Sequence, residues 1–207
     1  MTDLKFIEAA VDAQAERILD ANDRIWEYAE PPFKEMQSSA LLGRLLKEAG
    51  FTVETGLAGI PTCFTGTFVY GTGKPVMGIL GEYDALPGLS QEAALPVKKE
   101  REAGGFGHGC GHCVLGAASL AAAIAVKNYL EEFKKDGTII YFGCPAEEGA
   151  GSKQFMTRAG LFDNVDFVYT WHPSTVNRVD PSSSNAIMGA DFSFRGITAH
   201  AGSSPHL

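Results

Sequence analysis

The sequence predicts an α/β protein: a three-layer α-β-α sandwich around a mostly parallel twisted central sheet, followed by the start of a smaller α+β unit. Three observations predict it. Short apolar runs at 76–80, 138–143 and 165–170 read as buried strands. Amphipathic or alanine-rich segments alternate with them, as a helix-sheet-helix sandwich requires. Three of the strands lead directly into acidic, thiol or imidazole side chains, and open sheets of this kind bind ligands at their carboxyl edge.

In chain order, Leu4, Ile7, Val11, Ala15, Ile18 and Leu19 recur at helical spacing and predict an amphipathic helix to about Tyr28. Ser38 and Ser39 are candidate caps of a second helix carrying Leu41, Leu42, Leu45 and Leu46, with Gly50 as its stop. Phe51–Glu54 and Cys63–Tyr70 have strand character, and Gly71 and Gly73 close the latter with a turn. The buried run Val76–Leu80 ends in Gly81-Glu82-Tyr83-Asp84. Residues 90–107 are polar and glycine-bearing, hence a long loop of the sort that carries function. Val114–Tyr129 is the clearest helix. Thr138–Gly143 is a buried strand, Gln154–Ala159 a short helix, and Val165–Thr170 a third buried strand running into Trp171-His172-Pro173. After Pro181 the texture becomes linker-like, and Ile187–Arg195 has strand character in a new unit.

Composition narrows the function classes. The 207 residues are 45% hydrophobic and 20% charged, an ordinary globular balance. The formal net charge of −8 disfavours a nucleic-acid partner. No run of about 18 uncharged apolar residues predicts a membrane span, and the acidic, interrupted N-terminus reads as a helix of the mature protein. The 4 cysteines are too few for a stapled secreted scaffold, so a reducing cytoplasm is expected.

The strongest local signal is Gly107-His108-Gly109-Cys110-Gly111-His112-Cys113, a glycine-rich turn that presents soft ligands at the start of a helix. Cys110 and Cys113 also match a thiol-disulfide exchange pattern, but the apolar strand that normally precedes such a site is absent. Glu147 and Glu148 follow a buried strand, where one carboxylate can bind metal while its neighbour moves a proton. Asp84 at another strand end reads either as a turn residue or as the acceptor that orients an imidazole ligand. His172 ends a third strand, and His200 lies in the later unit.

Together, the GEYDALPGLSQ, GHGCGH, GCPAEEGAGSKQFM, TWHP and FRGITAHAGSSPHL strings resemble the co-catalytic zinc peptidase family that includes carboxypeptidase G, aminoacylases and plant auxin-conjugate hydrolases. The branch with a Cys-Gly-His ligand motif is the most similar. The resemblance implies a metal-dependent amidohydrolase that cleaves an N-acyl amino acid, such as a glutamate-linked aromatic amide, with water activated by two divalent ions, Zn or Mn. It implies Cys110 as bridging ligand, His112, Glu148 and His172 as further ligands, Glu147 as general base and Asp84 as orienting carboxylate. His200 would bind substrate from the lid of a partner subunit, in a homodimer or with a related second subunit.

On this pattern residues 1–184 form the N-terminal part of the catalytic domain and 185–207 begin a lid and dimerisation domain. Two departures stand out. Cys113 occupies a position where the branch carries Asp or Asn, and the family's last metal-binding His falls beyond Leu207, as in a fragment or an inactive remnant.

Overall fold

The computed structural model describes residues 3–149, 151–179, 183 and 185–206. They fall into two compact units, Met1–Pro173 and Ser174–Leu207. The first unit is a mixed five-stranded sheet of order β1-β2-β4-β3-β5 with helices on its faces. The helices are α1 (Asp3–Asp12), α2 (Ala15–Tyr28), α3 (Met36–Glu48), α4 (His112–Glu132) and α5 (Ser152–Arg158); the strands are β1 (Thr52–Thr55), β2 (Phe64–Tyr70), β3 (Val76–Glu82), β4 (Gly137–Cys144) and β5 (Phe167–Tyr169). Strands β4, β3 and β5 pair in parallel, while β2 opposes both β4 and β1. Four strands therefore share one direction, and the ends of β3, β4 and β5 open at one edge.

Side-chain alternation along β4 builds a core on each face. Ile139 and Tyr141 join Ala21, Ile25, Leu42, Leu46, Leu120 and Ile124 from α2, α3 and α4. Phe142 and Cys144 pack on the opposite face with Cys63, Leu80 and Met156 of α5. Each large apolar side chain buried in this way contributes about 1.5–3 kcal/mol. Helix α4 is long and apolar enough to cross a membrane by length and composition, yet most of it is buried as the core helix of this sandwich.

Four expectations are corrected. The first helix is broken at Ala13 and Gln14 into α1 and α2. Helix α1 buries none of its residues and is held instead by Phe6 against Tyr129 and Phe133, with Tyr129 Oη donating to Asp3. Helix α3 starts at Met36, so Ser38 lies inside its first turn and cannot cap it. The buried Glu30 carboxylate takes that role from outside, accepting from Gln37 N and Ser38 N, both at 2.9 Å, and from Ser38 Oγ.

Strand β5 forms where expected but is exposed rather than buried, because it pairs only with β3. Ile187–Arg195 carries no strand, and no described segment offers it a ladder. The long loop at 90–107 has no helix or strand and is tied by Leu86 to Gly107 in an isolated bridge.

Candidate metal centre

Three chain segments meet beyond the ends of the parallel strands. Strand β3 delivers Glu82 and Asp84, and the turn after β4 delivers Glu147 and Glu148. The segment after β5 delivers His172. Between them the loop at 107–111 feeds Cys110 and His112 into the start of α4. Gly111 sits there at φ +84, left-handed backbone that a side chain rarely adopts, and its missing Cβ leaves room for Pro173.

His112 is fully buried and held from both sides. Its Nδ1–H donates to Asp84 Oδ1 at 2.8 Å, which fixes Nε2 as the nitrogen available to a ligand. Nε2 lies 3.1 Å from Glu82 Oε2, 3.7 Å from Glu147 Oε2 and 4.0 Å from Glu148 Oε1. Asp84 spends its other oxygen on the backbone N–H of Glu148 at 2.9 Å, so one buried carboxylate ties the ends of β3 and β4 together.

His172 repeats this logic. Its Nδ1–H donates to Pro173 O at 2.9 Å, and its Nε2 lies 3.1 Å from Cys110 Sγ. The neighbouring Trp171 is anchored by Nε1 donating to Ser119 Oγ, which itself donates to Leu80 O.

Electrostatics follow from this crowding. Burial and the surrounding acids Glu148, Glu147 and Glu82 push the Cys110 thiol up to about 12. Burial works against protonation of His112, but the hydrogen bond and charge of Asp84, with Glu82 and Glu148, outweigh it and raise the imidazole. Glu147 is raised by burial and by the charge of Glu82. An excess of acid with too little compensating positive charge suits a cation. Among the described residues, two ligand-capable trios, Cys110/His112/His172 and Glu82/His112/Glu147, each have their donor atoms within 4.8 Å of one another. His112 Nε2 and Glu148 Oε1 are buried without a hydrogen-bond partner. Buried polar atoms of that kind demand an explanation, and a thiol, imidazole and carboxylate donor set fits zinc or a neighbouring divalent ion.

The structure thus brings together Asp84, Cys110, His112, Glu147, Glu148 and His172. His200 belongs to the second unit, where its Nδ1 accepts from Gly202 N at 3.1 Å and Ser203 N at 3.2 Å. His108 turns away from the cluster: its Nε2 bonds Ile25 O at 2.9 Å, and burial holds it neutral, with a pKa lowered to about 4. Cys113 packs into the apolar core, its thiol pushed up to about 11 by burial. A thiol-disulfide centre needs an accessible, readily ionised pair; here Cys113 is buried and both thiols are pushed up.

Two residues of the cluster escaped the motif reading. Glu82 could have been found from strand alternation, since residues 82 and 84 share a side. Lys153 on α5 pairs with Glu82 through Nζ and Oε1, and nothing in its local sequence announces that.

The chain is 46% identical to a subunit of the p-aminobenzoyl-glutamate hydrolase of Escherichia coli K12, over 98% of this chain and 42% of that relative. It therefore spans less than half the length of that protein. Among solved structures, it superposes on an aminohydrolase from methicillin-resistant Staphylococcus aureus with a TM-score of 0.67 and 23% identity, covering 81% of this chain and 41% of that one. A dinuclear metal-binding peptidase of the M20 family from Bacillus subtilis aligns at 0.62 and 23% identity, over 79% and 44%. At that identity both establish the fold. Residues 78–190, more than half of the sequence and the stretch that contains every strand end of the cluster, match the family description of peptidase family M20/M25/M40, and the chain belongs to that family.

Proposed function

We propose that this chain is the metal-binding part of an amidohydrolase that cleaves the amide of an N-acyl amino acid, with p-aminobenzoyl-glutamate as the substrate class. The observation that carries the reading is the convergence of Cys110, His112, His172 and Glu148 beside Glu147, with His112 Nε2 and Glu148 Oε1 buried and unsatisfied.

Cys110, His112, Glu148 and His172 would hold the divalent ions; the thiolate would favour zinc, and the oxygen and nitrogen donors would also accept manganese. Such ions, when bound, acidify a water and polarise the amide carbonyl. Glu147, partly exposed and raised by burial and Glu82, takes the proton from the water and returns it to the leaving amine. Asp84 keeps His112 in the tautomer that leaves Nε2 for metal. His200 is assigned to substrate binding: its Nδ1 accepts two backbone N–H groups, which makes Nε2 the donor.

Residues 1–184 are assigned to the catalytic domain and 185–207 to the start of a lid. A second copy of the chain or a related subunit is the expected partner, since the Escherichia coli relative is itself named as a subunit, and the cytoplasm is the expected compartment.

The test is hydrolysis of p-aminobenzoyl-glutamate by the metal-loaded protein at its natural full length. Glu147→Ala should lower turnover by about 10²–10⁴-fold while metal content stays nearly unchanged. Loss of metal without loss of activity would overturn the assignment.

A further inference from the structure

Glu82 is the anomaly of the cluster. It is nearly buried, its Oε2 lies 3.1 Å from the nitrogen of His112 that faces the site, and it groups with His112 and Glu147 as a ligand-capable trio. As a metal ligand it would compete for His112 with the trio that contains Cys110 and His172. Its other oxygen, however, is already engaged by the ammonium of Lys153, the cation that α5 places against this cluster of acids.

Charge accounting separates the roles. Asp84, Cys110 as thiolate, Glu147 and Glu148 would carry four negative charges, which two divalent ions would balance; Glu82 is a fifth, already paired with Lys153. A buried carboxylate paired with an ammonium is a poor competitor for metal, and removing the ammonium leaves an uncompensated charge that seeks another cation.

We infer that Lys153 is a positioning residue for the metal centre: by claiming Glu82 it keeps that carboxylate out of the ligand set and so limits the coordination number of the ion on His112. The inference rests on the metal-centre reading above. Carboxylates beside a metal are commonly held by outer hydrogen bonds, and losing such partners changes metal affinity by about 10–100-fold. Here the partner acts in the opposite sense, restraining a group from binding.

Cobalt(II) is the probe, because its visible bands weaken as the coordination number rises and a thiolate ligand adds a near-ultraviolet charge-transfer band. The wild-type protein, E82Q, K153M, K153R and the double variant K153M/E82Q are titrated with cobalt, and stoichiometry and spectra are recorded. E82Q and K153R should reproduce the wild-type spectrum. K153M should lose visible intensity as the released Glu82 binds, and K153M/E82Q should regain it.

A purely structural role for Lys153 predicts that K153M loses stability, which E82Q restores, while the cobalt spectrum of the folded K153M protein stays that of wild type. The inference is overturned if K153M matches wild type, if its altered spectrum persists in the double variant, or if E82Q alone changes the spectrum, which would make Glu82 a native ligand. Should K153M fail to fold, K153Q and K153Q/E82Q are titrated in its place and read by the same criteria. Wild-type protein that binds no cobalt sinks the metal-centre reading itself, and this inference with it.

Discussion

Glu35 links the fold to the candidate site and gives a prediction that needs no metal. Its side chain is fully buried, between the α2–α3 connection and the turn after β4. Oε1 accepts from Phe33 N and Ala146 N, both at 2.8 Å, and Oε2 accepts from Thr62 Oγ1 at 2.9 Å. Ala146, at φ +53, immediately precedes Glu147, so this carboxylate pins the strained entry to the paired glutamates. Glu35→Ala leaves these donors without a partner, at about 1–3 kcal/mol each. The Thr62 hydroxyl can rotate to another acceptor, so the two backbone N–H groups set the cost at roughly 2–6 kcal/mol. Glu35→Gln keeps one oxygen for the two N–H groups and turns its amide towards a hydroxyl that can accept, so it should cost less than about 1 kcal/mol.

Burial holds the Glu35 carboxyl above its ordinary value of 4.5 despite these hydrogen bonds. The folded state then binds the proton more tightly than the unfolded chain. Its contribution is fully present below 4.5 and is lost as pH rises through the raised folded value. A glutamine amide has no such titration, so the Glu35→Gln variant should gain on wild type over that window and hold a constant difference above it. Urea unfolding at a series of pH values reads both effects. An alanine variant within about 1 kcal/mol of wild type, or a difference between glutamine variant and wild type that does not move with pH, refutes the reasoning.

Other outcomes follow from the same geometry. Asp84→Asn puts an amide donor against either His112 Nδ1–H or Glu148 N–H and should weaken metal binding by about 10–100-fold, read by competition with a chromophoric chelator; unchanged affinity would remove Asp84 from its orienting role. Gly116→Ala should destabilise by about 1–3 kcal/mol in urea unfolding, because its Cβ would lie 2.6 Å from the backbone oxygen of Glu82. Helix propensity alone predicts a gain of about 1 kcal/mol, so the sign distinguishes the two. Thiol titration of the native metal-free protein should find Cys110 reacting slowly but ahead of Cys63, Cys113 and Cys144, which stay protected until unfolding, since Cys110 is half-buried with a raised thiol and the others are buried. Divalent metal should then protect Cys110.

Much of this protein was legible in the sequence because periodicity and strand-end chemistry are local properties. The alternation of apolar runs with helical stripes predicted the sandwich, and a parallel sheet gathers its strand ends at one edge whatever lies between them. That is why Asp84, Glu147, Glu148 and His172 could be picked out as candidates at strand ends, with Cys110 and His112 from the glycine-rich turn, while their individual roles came only from the family resemblance. Break points were less legible. Nothing at Ala13 or Gln14 resembles a helix stop, and the cap of α3 comes from Glu30, on the far side of two prolines.

What only the tertiary structure decided is direction. The sequence shows two histidines and two cysteines in one turn; packing sends Cys110 and His112 into the cluster, His108 to a carbonyl of α2 and Cys113 into the core. It likewise brings Lys153 to Glu82 across 71 residues of chain. Residue type and spacing fix which chemistry a segment can offer. Which side chains share a space depends on long-range contacts between helix and sheet, and no local pattern encodes them.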